Sequence, residues 1–272
     1  MANKWQTLSS VTGSPWGNAS DGDITISSNT TQAETSRSCT GSGTSLTIGS
    51  SGFSDGDVVV VLQVHGTDSG QWEYAKIASG GGTTSITVQK SLQYTYGSGA
   101  VIQKLPQYGT VVVESGKTWS ATAWNGTANG IFGFIARDVT ITGSISASGK
   151  GFRGGASSGD TGSQGESELG TGSTLHAANG MAGGGGGKNQ AGGRGSGAGG
   201  GYATSGGNGS ASTDGTAIGG GTNGIANLTV MLFGGAGGGA GGSGNTTDGG
   251  RSGGIVFITA RNTTITGSII SW

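Results

Sequence analysis

Along the first 148 residues, apolar positions come in short bursts spaced by polar ones. Ile24-Thr25-Ile26, Leu46-Thr47-Ile48 and Ile86-Thr87-Val88 alternate β-branched or leucine residues with threonine. Val58–Val64, Val101-Ile102, Val111–Val113, Phe132–Ile135 and Val139–Ile145 are denser bursts of the same kind. Gly, Ser, Asn and Asp clusters separate them. Period-two alternation rich in β-branched residues predicts short strands. Strands at this spacing predict a sandwich, a barrel or a short β-solenoid. Asp21-Gly22-Asp23 and Asp55-Gly56-Asp57 each precede a burst and predict tight turns.

After residue 148 the alternation stops. Of the 64 glycines, 42 lie between Gly149 and Gly254. The shift divides the chain into residues 1–148, residues 149–254 and a closing strand over 255–272. That last segment repeats an earlier one. Ala136-Arg137-Asp138-Val139-Thr140-Ile141-Thr142-Gly143-Ser144-Ile145 matches Ala260-Arg261-Asn262-Thr263-Thr264-Ile265-Thr266-Gly267-Ser268-Ile269 at eight of ten positions, 124 residues apart. Two similar strands flanking a segment are expected to lie near each other and close it off.

Glycine at 24% is compatible with a flexible linker or with an ordered polyglycine II lamina. In the latter, extended three-residue-per-turn helices bond to one another laterally and need glycine on each contacted face. The spacing favours order. Gly235, Gly238, Gly241 and Gly244 share one register, Gly250 and Gly253 continue it, and Gly234 and Gly237 offer a second face. Gly183–Gly187 is a pure run suited to an interior position. Collagen is excluded, because only two prolines are present and no strict Gly-X-Y repeat occurs. Helical bundles are disfavoured by the cost of glycine in helices. The expected fold class is an all-β N-terminal domain followed by a polyglycine type II helix sandwich, with essentially no α-helix.

Charge and motifs narrow the chemistry. Thirteen basic and fourteen acidic residues give a net charge of −1 and no basic face, so no nucleic-acid partner is expected. Cys39 is the single cysteine, and His65 and His176 the only histidines, so no zinc pattern arises. Gly195–Gly200 satisfies G-x-G-x-x-G but lacks the strand and helix that a nucleotide site needs. Gly116-Lys117-Thr118 has Val111 where the P-loop requires its first glycine. Glu166 and Glu168 read as solvated loop charges rather than a catalytic pair. The stretch from Met1 to Val11 has no positive region followed by an apolar one, so synthesis in a cytoplasm without a conventional export signal is expected. No cofactor, no metal site and no enzymatic activity are expected.

The runs Gly154-Gly155, Gly183–Gly187, Gly192–Gly201, Gly219–Gly221 and Gly234–Gly244 alternate with irregular segments behind a β-rich half. In this the chain resembles the glycine-rich tip adhesins of T-even-like phage long tail fibres. The resemblance covers residues 149–254. It implies a virion protein at the fibre tip, attached by its N-terminal domain to a trimeric fibre protein. Loops between polyglycine helices would contact a bacterial outer-membrane protein or surface glycan. The loop residues so singled out are Glu166, Glu168, Leu169, Leu175, His176, Lys188, Tyr202, Asn208, Asp214, Asn227, Leu228, Met231, Asn245 and Asp248. Trp5 and Trp16 are candidates for fibre attachment. Aromatic and apolar side chains in a Gly/Ser/Asn setting suit protein recognition. Leu228–Phe233 also reads as a strand covering the sandwich. A structural surface or filament subunit and an ice-binding protein are the alternative functions.

Overall fold

The computed structural model describes residues 8–9, 11–159, 161–187, 195–212, 215–224, 229–241 and 247–272. Among these, helical backbone occurs only at Leu8, Ser9, Val11 and Thr12. The protein is all-β. The chain lays down β1 (Ile24–Ile26) and β2 (Thr30–Thr31), then six barrel strands: β3 (Ser36–Ser42), β4 (Ser45–Ile48), β5 (Val58–Gln63), β6 (Trp72–Ser79), β7 (Ser85–Val88) and β8 (Tyr96–Lys104). It continues with β9 (Gln107–Val113), β10 (Thr118–Ser120), β11 (Ile131–Ile141) and β12 (Ser144–Ser146). Among its described residues the glycine-rich stretch holds the two-residue strands β13 (Ala211–Ser212) and β14 (Gly215–Thr216), before β15 (Ile255–Ile265) and β16 (Ser268–Ile270).

Two sheets share one logic. β1, β9, β11 and β15 form one parallel sheet, and β2, β10, β12 and β16 form the other, in the same order. Each coil of chain gives one strand to each sheet, which makes a parallel β-solenoid of four coils. Interior side chains stack in columns across the coils. Ile26, Val113, Ile141 and Ile265 are register partners in turn, as are Trp119, Ile145 and Ile269. β11 and β15 pair at the same offset of 124 residues as the sequence repeat, from Ala136 with Ala260 to Ile141 with Ile265. The repeat is therefore two adjacent rungs. The Oγ atoms of Ser144 and Ser268 meet at 2.8 Å, and Asn262 Nδ2 donates to Asp138 at 2.6 Å.

The solenoid carries two insertions. The first, between β2 and β9, closes into a six-stranded antiparallel barrel in the order β3-β4-β7-β6-β5-β8. β5 is buried along its whole length because both its faces are covered. Val59 and Val61 point into the barrel with Ile77, Ile86 and Ile102. Val58, Val60 and Leu62 pack outward against Ile131, Ile135, Phe233 and Trp124. The unbroken apolar run at Val58–Leu62 follows from this two-sided burial. Cys39 sits inside the barrel, where burial pushes its thiol up to about 12. The two Asp-Gly-Asp turns meet at one cation: Lys104 Nζ lies 3.4 Å from Asp21 and 3.2 Å from Asp57. Gly22 and Gly56 adopt φ of 74° and 92°, the left-handed region that such turns demand.

The second insertion, between β12 and β15, is built almost without strand ladders. Its extended segments bond laterally through the main chain. In residues 235–241, successive N–H groups fan out to three neighbours in rotation. Gly235, Gly238 and Gly241 donate to Gly201, Ala198 and Gly195 at 2.8–3.0 Å. Ala236 and Gly239 donate to Glu166 and Ser163, and Gly237 and Ala240 to Gly250 and Thr247. The run at Gly183–Gly187 behaves the same way: Gly184 and Gly187 bond to Ala236 and Gly239, Gly185 to Ile218, and Gly186 to Leu175. A period of three sets main chain against main chain where glycines face a neighbouring segment. A Cβ built on Gly235, Gly220, Gly165 or Gly186 would fall on a neighbouring carbonyl oxygen. Of the glycine register read from the sequence, Gly244 lies outside the described residues.

Candidate functional site

Glu166 holds the point where solenoid, barrel and glycine array meet. Its Oε2 accepts from Trp124 Nε1 at 3.1 Å, from the Arg153 main-chain N–H at 2.8 Å and from Arg153 Nε at 3.1 Å. Its Oε1 accepts from an Arg153 terminal nitrogen at 3.1 Å and lies 3.6 Å from His65 Nε2. The His65 ring stacks on Phe152 at 5.4 Å and meets Trp124 edge-on at 5.5 Å. Burial works to raise the Glu166 pKa, but the bonds from Arg153 and Trp124 outweigh it and hold the carboxyl below its ordinary 4.5. Burial lowers the His65 imidazole from 6.5, against the pull of Glu166. Glu168, two residues on, accepts from the Met181 N–H, and its carbonyl accepts from Gly66 in the barrel.

Glu166 and Glu168 are thus not solvated loop charges or receptor contacts. They are 2% and 4% exposed; Trp124 and Arg153 donate to the carboxylate of Glu166, and the Met181 N–H donates to that of Glu168. Sequence spacing gave no sign of it, since His65, Trp124 and Arg153 are distant in the chain. Met231 is also corrected. It is buried against Trp124 and Phe233 in the main core, and its N–H donates to Gly70. Residues 231–233 are buried but form no strand.

Other predicted residues lie at the surface. Leu169 is 66% and Leu175 56% exposed, and His176 is half-buried with Nδ1 2.8 Å from the Gly186 carbonyl. Two residues that the sequence reading passed over belong with them: Met181 and Ile218, 52% and 45% exposed. These residues sit on segments bonded to one another. Ile218 N–H donates to His176, Gly186 to Leu175, and Met181 to Glu168, whose neighbour is Leu169. The only signal for them was that each is a large apolar residue in a Gly/Ser setting. Tyr202 and Asn208 are exposed, and the Asn208 side chain accepts from Gly219. Asp248 is exposed and accepts from the Ser157 N–H at 2.7 Å, which lowers its pKa. Trp16 is half-buried. Lys188, Asp214, Asn227, Leu228, Asn245 and Trp5 lie outside the described residues.

A second feature is a cleft of about 1580 Å³ between the β15 side of the solenoid, the barrel and the glycine array. Trp72, Tyr74 and Phe257 pack together on its solenoid and barrel side, with ring centroids 5.2–5.6 Å apart. Tyr202, Gly197–Gly201 and Gly249–Gly253 line the array side. The segment Gly195–Gly200 belongs to this laterally bonded array. The N–H groups of Gly195, Ala198 and Gly199 are bonded to Gly241, Gly185 and Gly207 and are not free to cradle a phosphate. Among the described residues, no group of three or more metal-ligating side chains comes together.

No family model matches the chain, and no curated protein matches it. Two solved structures are similar to it: the tailspike gp61 of Pseudomonas phage phi297 and the tailspike gp49 of Pseudomonas phage LKA1. Each is 14% identical. The TM-scores are 0.24 and 0.23, over 48% and 46% of this chain. The chain spans about a quarter of the length of each, 25% and 24%. The expectation of a chain without enzymatic activity is not supported by these similarities to tailspikes and is withdrawn.

Proposed function

We propose that this chain is a phage tail protein that recognises a bacterial surface receptor through the glycine-rich insertion. The insertion is read as a polyglycine II sandwich: its main chain bonds in threefold rotation, and a Cβ on Gly165, Gly186, Gly220 or Gly235 would fall on a neighbouring main chain. Such a lamina is stiff, because each segment is tied to several neighbours. A stiff scaffold holds exposed side chains in place and reduces the ordering cost of binding. The observation that carries the reading is the set of exposed apolar residues Leu169, Leu175, Met181 and Ile218 on interbonded segments. Large apolar side chains exposed together mark recognition surfaces. The receptor is an outer-membrane protein or surface glycan, and the protein sits at the tip of a trimeric tail fibre in the virion.

The test is adsorption. Purified protein should bind susceptible cells and compete with phage for them. Leu175→Asp and Leu169→Asp should weaken cell binding at least tenfold while leaving the melting temperature unchanged. Equal cell binding by both variants would remove this surface from the proposal.

A further inference from the structure

We propose that the cleft beside β15 receives an extended peptide strand of a partner protein, added to the solenoid sheet as a fifth parallel strand. β15 is 11 residues long and ends its sheet, pairing only with β11. Its outer side has no strand partner among the described residues. An edge strand presents main-chain donors and acceptors at strand spacing and is a template for another strand.

The sequence repeat says what kind of strand fits. β11 and β12 already hold β15 and β16 in register, and the last coil copies that holding sequence at eight of ten positions. Its outer edge therefore repeats the order of side chains on the edge to which it is itself bound. The interior columns point the same way. They run through Ile141 and Ile145 and end in Ile265 and Ile269, which are 46% and 40% exposed. A strand of the same alternation would extend both columns by one position.

The cleft fits a neutral main chain. Arg251 and Asp248 are the only charged residues among its described lining, and both are engaged. Arg251 donates to the carbonyls of Trp124, Gly149 and Gly151, and Asp248 accepts from Ser157. The two charges are of opposite sign, and each is bonded to neutral main-chain groups. The aromatic wall at Trp72 and Phe257 offers apolar contact to alternate side chains of the incoming strand. This inference uses none of Leu169, Leu175, Met181 and Ile218 and stands without the receptor reading.

The probe is a fluorescein-labelled peptide with the sequence of residues 136–146, titrated into the full chain. Saturable binding is expected, with hydrogen-exchange protection appearing over 255–265. Two further peptides carry N-methyl groups on alternate residues, in opposite phase. A strand added at an edge turns alternate N–H groups toward its partner, so one phase should bind at least tenfold more weakly and the other like the parent. As a second measurement, the same sequence fused behind Trp272 through a flexible Gly/Ser linker reaches about millimolar effective concentration. It should raise the melting temperature and protect the edge. Failure of both the peptide and the fusion to protect 255–265 would overturn the proposal. So would equal binding of the two N-methylated peptides. A peptide-free dimer in sedimentation, already protected over 255–265, would also overturn it and assign the edge to a second copy.

Discussion

The solenoid with its barrel and the glycine array solve the same problem by opposite means. In the solenoid, side chains make the core. Phe132, Phe134, Trp119 and Val139 fill the space between two sheets, and main-chain bonds run along ladders. In the array, the absence of side chains makes the core. Segments approach until main chain meets main chain, and successive N–H groups along residues 235–241 find carbonyls on different neighbours. Burial of apolar surface drives the first. In the second, lateral hydrogen bonds and close contacts must offset the entropy of ordering glycine. The difference teaches where mutation is dangerous. Removing atoms harms the solenoid, and adding them harms the array. The array gains side-chain anchorage only at its border, where Phe233 and Ala236 join the core around Trp124.

That contrast can be broken by measurement. Phe134→Ala, in the solenoid interior, should cost ~3–5 kcal/mol, as large aromatic truncations in cores do. Urea unfolding followed by circular dichroism would read it. A loss below 1 kcal/mol would mean that this core does not hold the coils. Gly235→Ala adds one methyl where the Ala182 carbonyl stands. Overpacking of this kind costs ~1–3 kcal/mol. Hydrogen exchange should show the loss confined to the array, at Gly201 and its neighbours, with β11 unaffected.

Acid should act on the junction. His65 and Glu166 both have folded-state pKa values below their ordinary 6.5 and 4.5. A lowered pKa contributes stability that is full above the ordinary value and is lost as pH falls through the folded one. The melting temperature should therefore be flat above about pH 7, fall as pH drops below 6.5 through His65, and fall further below 4.5 through Glu166. His65→Phe keeps the stacked ring and should abolish the upper part of the fall only. An unchanged profile in that variant would remove His65 from the junction's pH response. The smallest effect is expected at Gly250, where a Cβ meets nothing within 4 Å. Gly250→Ala should be neutral or stabilise by ~0.4–1 kcal/mol through the unfolded chain. If it proved as harmful as Gly235→Ala, glycine would be required there for some reason other than space.

Much of the fold was legible in the residues. Every predicted burst became part of a strand, because period-two alternation states which face is buried. The 124-residue repeat announced two neighbouring rungs, since matching side chains stack best on themselves. The glycine register at 235, 238 and 241 matched three bonds to one neighbouring segment. Other features were not legible. The pattern left sandwich, barrel and solenoid open, and the molecule holds both a barrel and a solenoid. A strand's alternation shows that it has a buried face but not which strand lies beside it. The junction was misread for the same reason. Glu166 and Glu168 look like loop charges until His65, Trp124 and Arg153 close around the first and Met181 bonds the second.

The sequence by itself determined the local conformations: strands where β-branched residues alternate, and extended, laterally bonded segments where glycine recurs. It did so because those preferences are set within a few residues. Only the tertiary structure decided that the barrel and the array are insertions between coils of one solenoid. It alone decided that two glutamates are interior and that the last coil has no strand partner on its outer side among the described residues. Each of those depends on which distant groups share a space, and burial and hydrogen bonding settle that only when the whole chain is in place.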